Sequence, residues 1–353
     1  MTHQEQLNTL IAQVVAQGGS DLHLAVGTRP IIRVSGTLVA LASEASLTDS
    51  DTKGLLSQML SSERMQKFAQ DQEVDFSYAH SDKARFRGNA FIERGRIGVA
   101  LRLIPRAIRS IAELNLPPAI EHFADQQQGF FVVVGPVGQG KTTTLAALIQ
   151  KINTERTEHI VTIEDPIEYL FENDRSLIEQ REVRIDTKDF ETALESVFRQ
   201  DIDVLMIGEM RTPETMATAV TAAETGHLVL STLHTNNASQ TIDRIIDSFP
   251  ATQQEQIRLQ LSSSLAGIFS QRLIPRISGG LVPAYELLIN TPAVSNLIRE
   301  KRTHEIDSVI ETSSQDGMID MNRCLADLVR GGEVTAESAF AHSWNPRILE
   351  RLL

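Results

Sequence analysis

At 353 residues, with 41% hydrophobic and 22% charged side chains, the chain has an ordinary globular composition and the length of about two domains. Thirty-three basic residues against 46 acidic ones leave a net charge of −13, which argues against general adhesion to DNA or RNA, where binding rests on phosphate neutralisation. The single cysteine, Cys324, rules out an internal disulfide and any multi-cysteine zinc or iron–sulfur site.

The N-terminus, MTHQEQLNTL, lacks the basic flank and apolar stretch of a signal peptide. No run approaches the ~18 apolar residues of a membrane span. A soluble, cytoplasmic protein is expected, and a free thiol suits that reducing compartment. Residues 1–105 read as an α+β domain. Leu7, Leu10, Ile11, Val14 and Val15 predict an opening helix that stops at Gly18-Gly19. Strand-like runs follow at 21–26, 31–36, 84–92 and 97–104, with a helix over Ser61–Gln70. Pro105 and the pair Pro117-Pro118 bracket a connector, residues 106–118.

From 119 to 353 the pattern is α/β. The β-rich runs FFVVVG (130–135), HIVTIED (159–165), VLMIGE (204–209) and LVLSTLH (228–234) alternate with helices, which predicts a mostly parallel sheet covered on both faces. Beyond residue 250 the chain reads as mainly helical, with Ile257, Leu261, Leu265, Ile268 and Phe269 on one stripe. The tail stripe of Trp344, Ile348, Leu349, Leu352 and Leu353 is expected to pack on its own domain.

GPVGQGKT at 135–142 fits G-x-x-x-x-G-K-[ST] between a strand and a helix, the context in which this motif holds phosphates. Gly135, Gly138 and Gly140 let the backbone wrap the phosphates, with Pro136, Val137 and Gln139 between them. Lys141 supplies a point charge for the β- and γ-phosphates, and Thr142 a hydroxyl for Mg²⁺; Thr143 follows in the first helical turn. In TIEDPIEY (162–169), Glu164 and Asp165 fall at the C-terminal end of a strand, the edge where open parallel sheets collect ligands. In DVLMIGE (203–209), Gly208 stands where a Walker B aspartate is usual, leaving Glu209 as the acid there. Either Glu164 or Glu209 can serve as the base that orients the attacking water, and Glu209 or Asp165 can face the metal. His227 and His234 sit at opposite ends of one strand, about 23 Å apart at ~3.3 Å per residue. If this strand runs parallel to the first, His234 lies at the nucleotide edge, as a γ-phosphate sensor or, alternatively, a packed structural histidine; His227 suits a subunit or domain contact.

Residues 83–109 hold Lys83, Arg85, Arg87, Arg94, Arg96, Arg102, Arg106 and Arg109 against one acid, Glu93. Guanidinium groups suit phosphate oxygens, and in a ring such residues can close over a neighbour's γ-phosphate. The alternatives are a solvated strand face and a nucleic-acid groove, the latter disfavoured by the absence of aromatic stacking partners.

Taken together, GGSDLHL (18–24), ARFRGNAF (84–91), GPVGQGKTTTLAA (135–147), TIEDPIEY, GEMRTPET (208–215), AAETGHL (222–228), STLHTNNA (231–238) and SNLIRE (295–300) resemble the type IV pilus retraction ATPases of the PilT/PilU group, within the secretion-ATPase superfamily of RecA-like P-loop proteins. The resemblance runs through nearly the whole chain. It implies a PAS-like N-terminal domain, a RecA-like ATPase domain and a homohexamer that uses ATP and Mg²⁺ to drive pilin removal at the pilus base. It also implies an inner-membrane platform protein and a paralogous retraction ATPase as partners, no nucleic acid, and only peripheral attachment at the inner face of the cytoplasmic membrane.

The family's acidic box maps to Glu164 and Asp165, its Walker B glutamate to Glu209, its histidine box to His227 and His234, and its arginine-bearing strands to Arg85, Arg87 and Arg102. The chain departs from the family at Gln139 and Thr142, where Ser-Gly-Lys-Ser is usual, at Ile202 in place of proline, and at Val294 and Ser295 in a motif usually read AIRNLIRE. Pilus assembly and type II secretion ATPases carry a tetracysteine element and a longer N-terminal region, which disfavours them here. Besides the motor, the sequence leaves open a PilU-like accessory ATPase, a slowly hydrolysing nucleotide-dependent adaptor, and a RecA-like nucleic-acid translocase.

Overall fold

The first helix, His3–Ala16, begins with a reciprocal cap in which Thr2 accepts from the Glu5 N–H and Glu5 accepts from the Thr2 N–H. Leu7, Leu10, Ile11 and Val14 are buried, whereas Val15 turns out to solvent, one step beyond the apolar stripe. The computed structural model describes residues 2–34, 36–80, 84–105 and 107–353. Two units divide the chain: Met1–Ala107 with Glu168–Leu170, and Ile108–Ile167 with Phe171–Leu353.

In the first unit β1 (Gly19–Ala25), β2 (Ile31–Val34), β3 (Thr37–Ala40), β4 (Glu73–His80), β5 (Ala84–Glu93) and β6 (Arg96–Ile104) form an antiparallel sheet in the order β3-β2-β1-β6-β5-β4. Alternation sends Leu22, Leu24, Ile32, Phe76, Phe86, Val99 and Leu101 into one core with the first helix. Two helices, Asp49–Met59 and Ser62–Asp71, separate β3 from β4; the first has a Thr48–Asp51 capping box that the sequence reading passed over.

The second unit contains β7 (Gly129–Val134), β8 (His159–Glu164), β9 (Leu177–Glu182), β10 (Val204–Ile207), β11 (Leu228–Leu233), β12 (Leu265–Pro275) and β13 (Leu281–Ile289). Their order is β13-β12-β7-β11-β10-β8-β9, and every pair except β12–β13 is parallel. All of β7 is buried: Phe130, Val132 and Val134 face one core, Phe131 and Val133 the other. This two-sided burial explains the uninterrupted apolar run.

One expectation needs correction. The stripe running past residue 250 is not one helix. The helix Ala251–Ser264 ends before Leu265, Ile268 and Phe269, which lie on β12 and extend the sheet beside β7. A short apolar run satisfies both periods, and the available edge of β7 decides for the strand. The stretch 108–117, within the expected connector, carries no helix or strand, and its Ile111 and Leu116 are buried with Phe123 and Phe131. Ile202 and Val294 are core residues, and the Ser295 hydroxyl donates to Ser262 O at 2.8 Å, so these departures from the family pattern serve packing. In the tail, Leu349 is buried and Trp344 packs on the cluster of Ile274 and Val282. Among the described residues no helix is long and apolar enough to cross a membrane.

Glu286 on β13 is 3% exposed, and its Oε1 accepts from the Ala238 N–H at 2.8 Å and the Ser270 hydroxyl at 3.2 Å. Burial pushes its pKa up to about 8. The folded chain therefore holds a proton that the unfolded chain releases above the ordinary carboxylate range. Stability from this group is full in acid and is lost as pH rises toward 8. Glu286→Gln, which keeps the acceptor and needs no proton, is expected to flatten the decline of the urea midpoint between pH 5 and pH 8. A decline as steep as in the parent would remove Glu286 as its cause.

Candidate active site

Parallel strands end together, and here four ends converge. β7 leads at Val134 into the glycine-rich loop, β8 ends at Glu164, β10 leads to Gly208-Glu209 and β11 to His234. The register pairs Val134 with Leu233, and Ile207 with both Ser231 and Ile163, so these ends lie along one edge. The loop fits tightly against β12. A Cβ on Gly135, at φ +147°, would lie 2.5 Å from Gln271 O, so only glycine is accommodated there.

Lys141, the first residue of the helix Lys141–Glu155, is 7% exposed. Its ammonium donates to the carbonyls of Gly135 and Pro136, each at 2.9 Å, and lies 3.2 Å from His234 Nδ1. With the ammonium donating, Nδ1 is the acceptor and Nε2 bears the imidazole proton, 3.5 Å from Glu209 Oε2. Glu209 also pairs closely with Arg211, and that hydrogen bond pushes the guanidinium pKa up. Glu164 is 3% exposed; its Oε1 accepts from Thr162 Oγ1 at 2.6 Å and Gln180 Nε2 at 3.1 Å. Lys141, His234, Glu209 and Glu164 thus stand at one sheet edge. Asp165 turns to Arg184 at 3.5 Å. Thr142 and Thr143 are half-buried in the first turn, while Val137 at the loop crest is 81% exposed.

His227 lies at the opposite end of β11. Its Nδ1 is 3.0 Å from Ala222 O, and its ring meets Phe198 edge-on at 5.7 Å between centroids. The predicted arginines belong to the first unit. The antiparallel register sets Arg33, Asp21, Arg102, Arg87 and Ser77 in one row across five strands. Arg102 Nε donates to Asp21 Oδ1 at 2.9 Å, Arg33 Nε lies 3.7 Å from Oδ2, Arg85 Nε donates to Ser77 Oγ at 2.9 Å, and Arg87 is exposed. Burial raises the Asp21 carboxyl, but hydrogen bonds from Ser20 and Arg102 outweigh it and hold its pKa below the ordinary value. Arg94 and Arg96 form looser pairs with Glu93 and Asp49, at 3.8 and 4.0 Å. Lys83 and Arg106 lie outside the described residues.

The model for the family described as "Type II/IV secretion system protein" matches residues 2–319. The chain belongs to the type II/IV secretion system protein family. Among members of this secretion family, it is 42% identical to the type IV pilus retraction ATPase PilT of Pseudomonas aeruginosa, over 94% of this chain and 96% of that one. It is 39% identical to the type IV pilus ATPase PilU of the same bacterium, over 96% of this chain and 88% of that one. The crystal structure of the pilus retraction motor PilT with bound ADP matches with a TM-score of 0.91 at 43% identity, covering 97% of this chain and 98% of that one. The mixed α/β fold, an antiparallel sheet followed by a mostly parallel one, is therefore that of the secretion ATPases.

Several neighbours of the site escaped the sequence reading. Gln180 lies on an edge strand that was not predicted, and Gln271 on a strand read as helix. Arg211 directly follows the GEM run, and only its charge beside Glu209 marked it. Gly208 has a structural reason: a Cβ there would lie 3.4 Å from both Glu164 Cα and Ile163 O. The space a Walker aspartate would fill is taken by the neighbouring strand's glutamate. Gly208→Ala is expected to stay within ~1 kcal/mol of the parent, whereas Gly208→Asp, which crowds a second carboxylate against Glu164, should cost more than ~2 kcal/mol by urea denaturation. Equal effects would show that this contact does not govern the position.

Proposed function

We propose that this secretion-family chain is an ATP-hydrolysing motor for type IV pilus retraction, working as a homohexamer on an inner-membrane platform protein at the pilus base, attached peripherally to the cytoplasmic face. The observation that carries the reading is the convergence of Lys141, His234, Glu209 and Glu164 on the sheet edge beside the phosphate loop. End-to-end similarity to PilT supports the retraction role. PilU matches over as much of the chain, which supports a second reading, an accessory retraction ATPase.

In this mechanism the loop N–H groups and Lys141 bind the phosphates of ATP, and Lys141 leaves the carbonyls of Gly135 and Pro136 for the β- and γ-phosphates. His234, whose Nδ1 faces that ammonium, follows the γ-phosphate. Glu164 orients the attacking water and takes its proton. Glu164 lies buried at the end of β8 and accepts from Thr162 and Gln180, whereas Glu209 pairs with Arg211.

The residues present fit a Mg²⁺ ion: the Thr142 hydroxyl, with Glu209 and Asp165 acting through water, suits an ion that keeps several waters and binds phosphate oxygens. Bound there, Mg²⁺ would neutralise charge developing on the β- and γ-oxygens. Arg85, Arg87 and Arg102 are assigned to the nucleotide of a neighbouring subunit, with Asp21 holding Arg102 in place. Contacts that differ between ATP and ADP then bias domain positions, and only such differential contacts can drive movement.

Glu164→Gln is expected to slow phosphate release at least ~100-fold with ATP binding retained, while Glu209→Gln shifts the Mg²⁺ concentration needed for half-maximal rate. Normal turnover in Glu164→Gln would transfer the base role elsewhere. At the level of the cell, deletion of the gene should leave excess surface pili. Restoration of retraction by the deleted strain's own paralogue would favour the accessory reading.

A further inference from the structure

Ser270 is the last residue of β12 that pairs with β7, yet β12 continues to Pro275. β7 has ended at Val134, where the chain turns into the phosphate loop, so residues 271–275 have no strand on that side. On their other side they keep β13, with Gln271 opposite Tyr285 and Leu273 opposite Pro283, which has no N–H. A strand edge opened in this way presents backbone groups that need other partners.

One glutamine side chain supplies such a partner, and a second fastens the loop in return. The Leu273 N–H donates to Gln139 Oε1 at 2.7 Å. Gln271 Nε2 donates to the backbone carbonyl of Gln139 at 2.8 Å, and Gln271 Oε1 accepts from Thr144 Oγ1 at 2.7 Å. Gln271 is 3% exposed, and Gln139 is half-buried between two glycines at the centre of the loop. The loop is thereby fastened to β12 through both a side chain and its backbone, and through Gln271 to the first turn of the helix that follows. Serine at 139 lacks the second methylene and the amide that span this gap.

We propose that Gln139 is a positioning residue: its bond to the Leu273 N–H holds the empty loop in its phosphate-binding shape and slows release of a nucleoside diphosphate. The proposal rests on the nucleotide-site reading above. A glycine-rich loop loses conformational freedom when it wraps a phosphate. Bonds that already fix the loop move that loss from binding to folding, so more of the interaction energy appears as affinity.

The test uses the full-length chain with Gln139→Met, similar in length but without the acceptor, and Gln139→Ser. Hydrogen exchange of the Leu273 amide in the nucleotide-free chain reads the bond, and displacement of a fluorescent ADP analogue by excess ATP reads its effect. Both variants should exchange that amide at least ~10-fold faster, with unchanged protection in β7 and β11 showing that the fold is intact. Both should also release the analogue at least ~3-fold faster than the parent. Unchanged exchange at Leu273, or faster exchange with unchanged release, overturns the positioning role while leaving the nucleotide site standing. Failure of the parent itself to take up the analogue, with Mg²⁺ present, overturns the nucleotide reading and the latch with it.

Discussion

A cation out of water must have its charge met, and Lys141 is such a cation: 7% exposed, at a helix start, at the head of a wholly buried strand. Its ammonium donates to two loop carbonyls and lies 3.2 Å from an imidazole nitrogen. A cation and a helix start are thereby brought to the same loop. An anion with several acceptor oxygens is the natural complement. The other features of the edge follow from this one. His234 must face the ammonium with an unprotonated Nδ1, which fixes its proton on the side of Glu209. Glu209 in turn pairs with Arg211, and Glu164 accepts from Thr162 and Gln180. Two carboxylates on adjacent strand ends thereby have different neighbours.

Much of this edge was legible because its signals are local. A phosphate loop needs glycines, lysine and a hydroxyl within eight residues of one another, and strand ends mark where Glu164, Glu209 and His234 fall. The opposed placement of His227 and His234 followed from strand rise alone, and the structure keeps the two at opposite ends of β11. Illegible features depend on which strand lies beside which. Gln180 reaches Glu164 only because β9 pairs with β8, and Gln271 reaches the loop only because the chain beyond residue 264 joins the sheet at β7. Neither neighbour is near in sequence. The misread stripe at 265–269 hid Gln271 for the same reason: its apolar spacing fits a helix as well as a strand, and the choice is made by a distant partner.

The arginine stripe divides in a way that composition does not reveal. One carboxylate, Asp21, is nearly inaccessible and lies between Arg33 and Arg102 in a single cross-strand row. It fixes Arg102 by a direct bond, whereas Arg87, the next residue in the row, is exposed with its own backbone opposite Arg102 and Ser77. Like charges side by side on a sheet repel, so this row is tolerable only with Asp21 inside it or an anion over it. The sheet thus carries one arginine bonded to a buried carboxylate and another exposed beside it.

Strand β12 ties these local arrangements to the remainder of the second unit. Its Gln271 and Leu273 hold the phosphate loop, while Arg272 between them donates to Asn236, just past His234, at 2.8 Å. Ile274, one residue further on, is buried in the cluster formed with Val282 and the C-terminal helices. Successive side chains of a strand point to opposite faces, so one extended segment touches the loop after β7, the loop after β11 and the helical tail without bending. A shift of the phosphate loop that kept its bonds to β12 would have to move this strand, or break the Gln139 and Gln271 bonds first. Close-packed interiors resist graded deformation. Loop, strand and helical tail are therefore mechanically one piece for as long as those bonds hold.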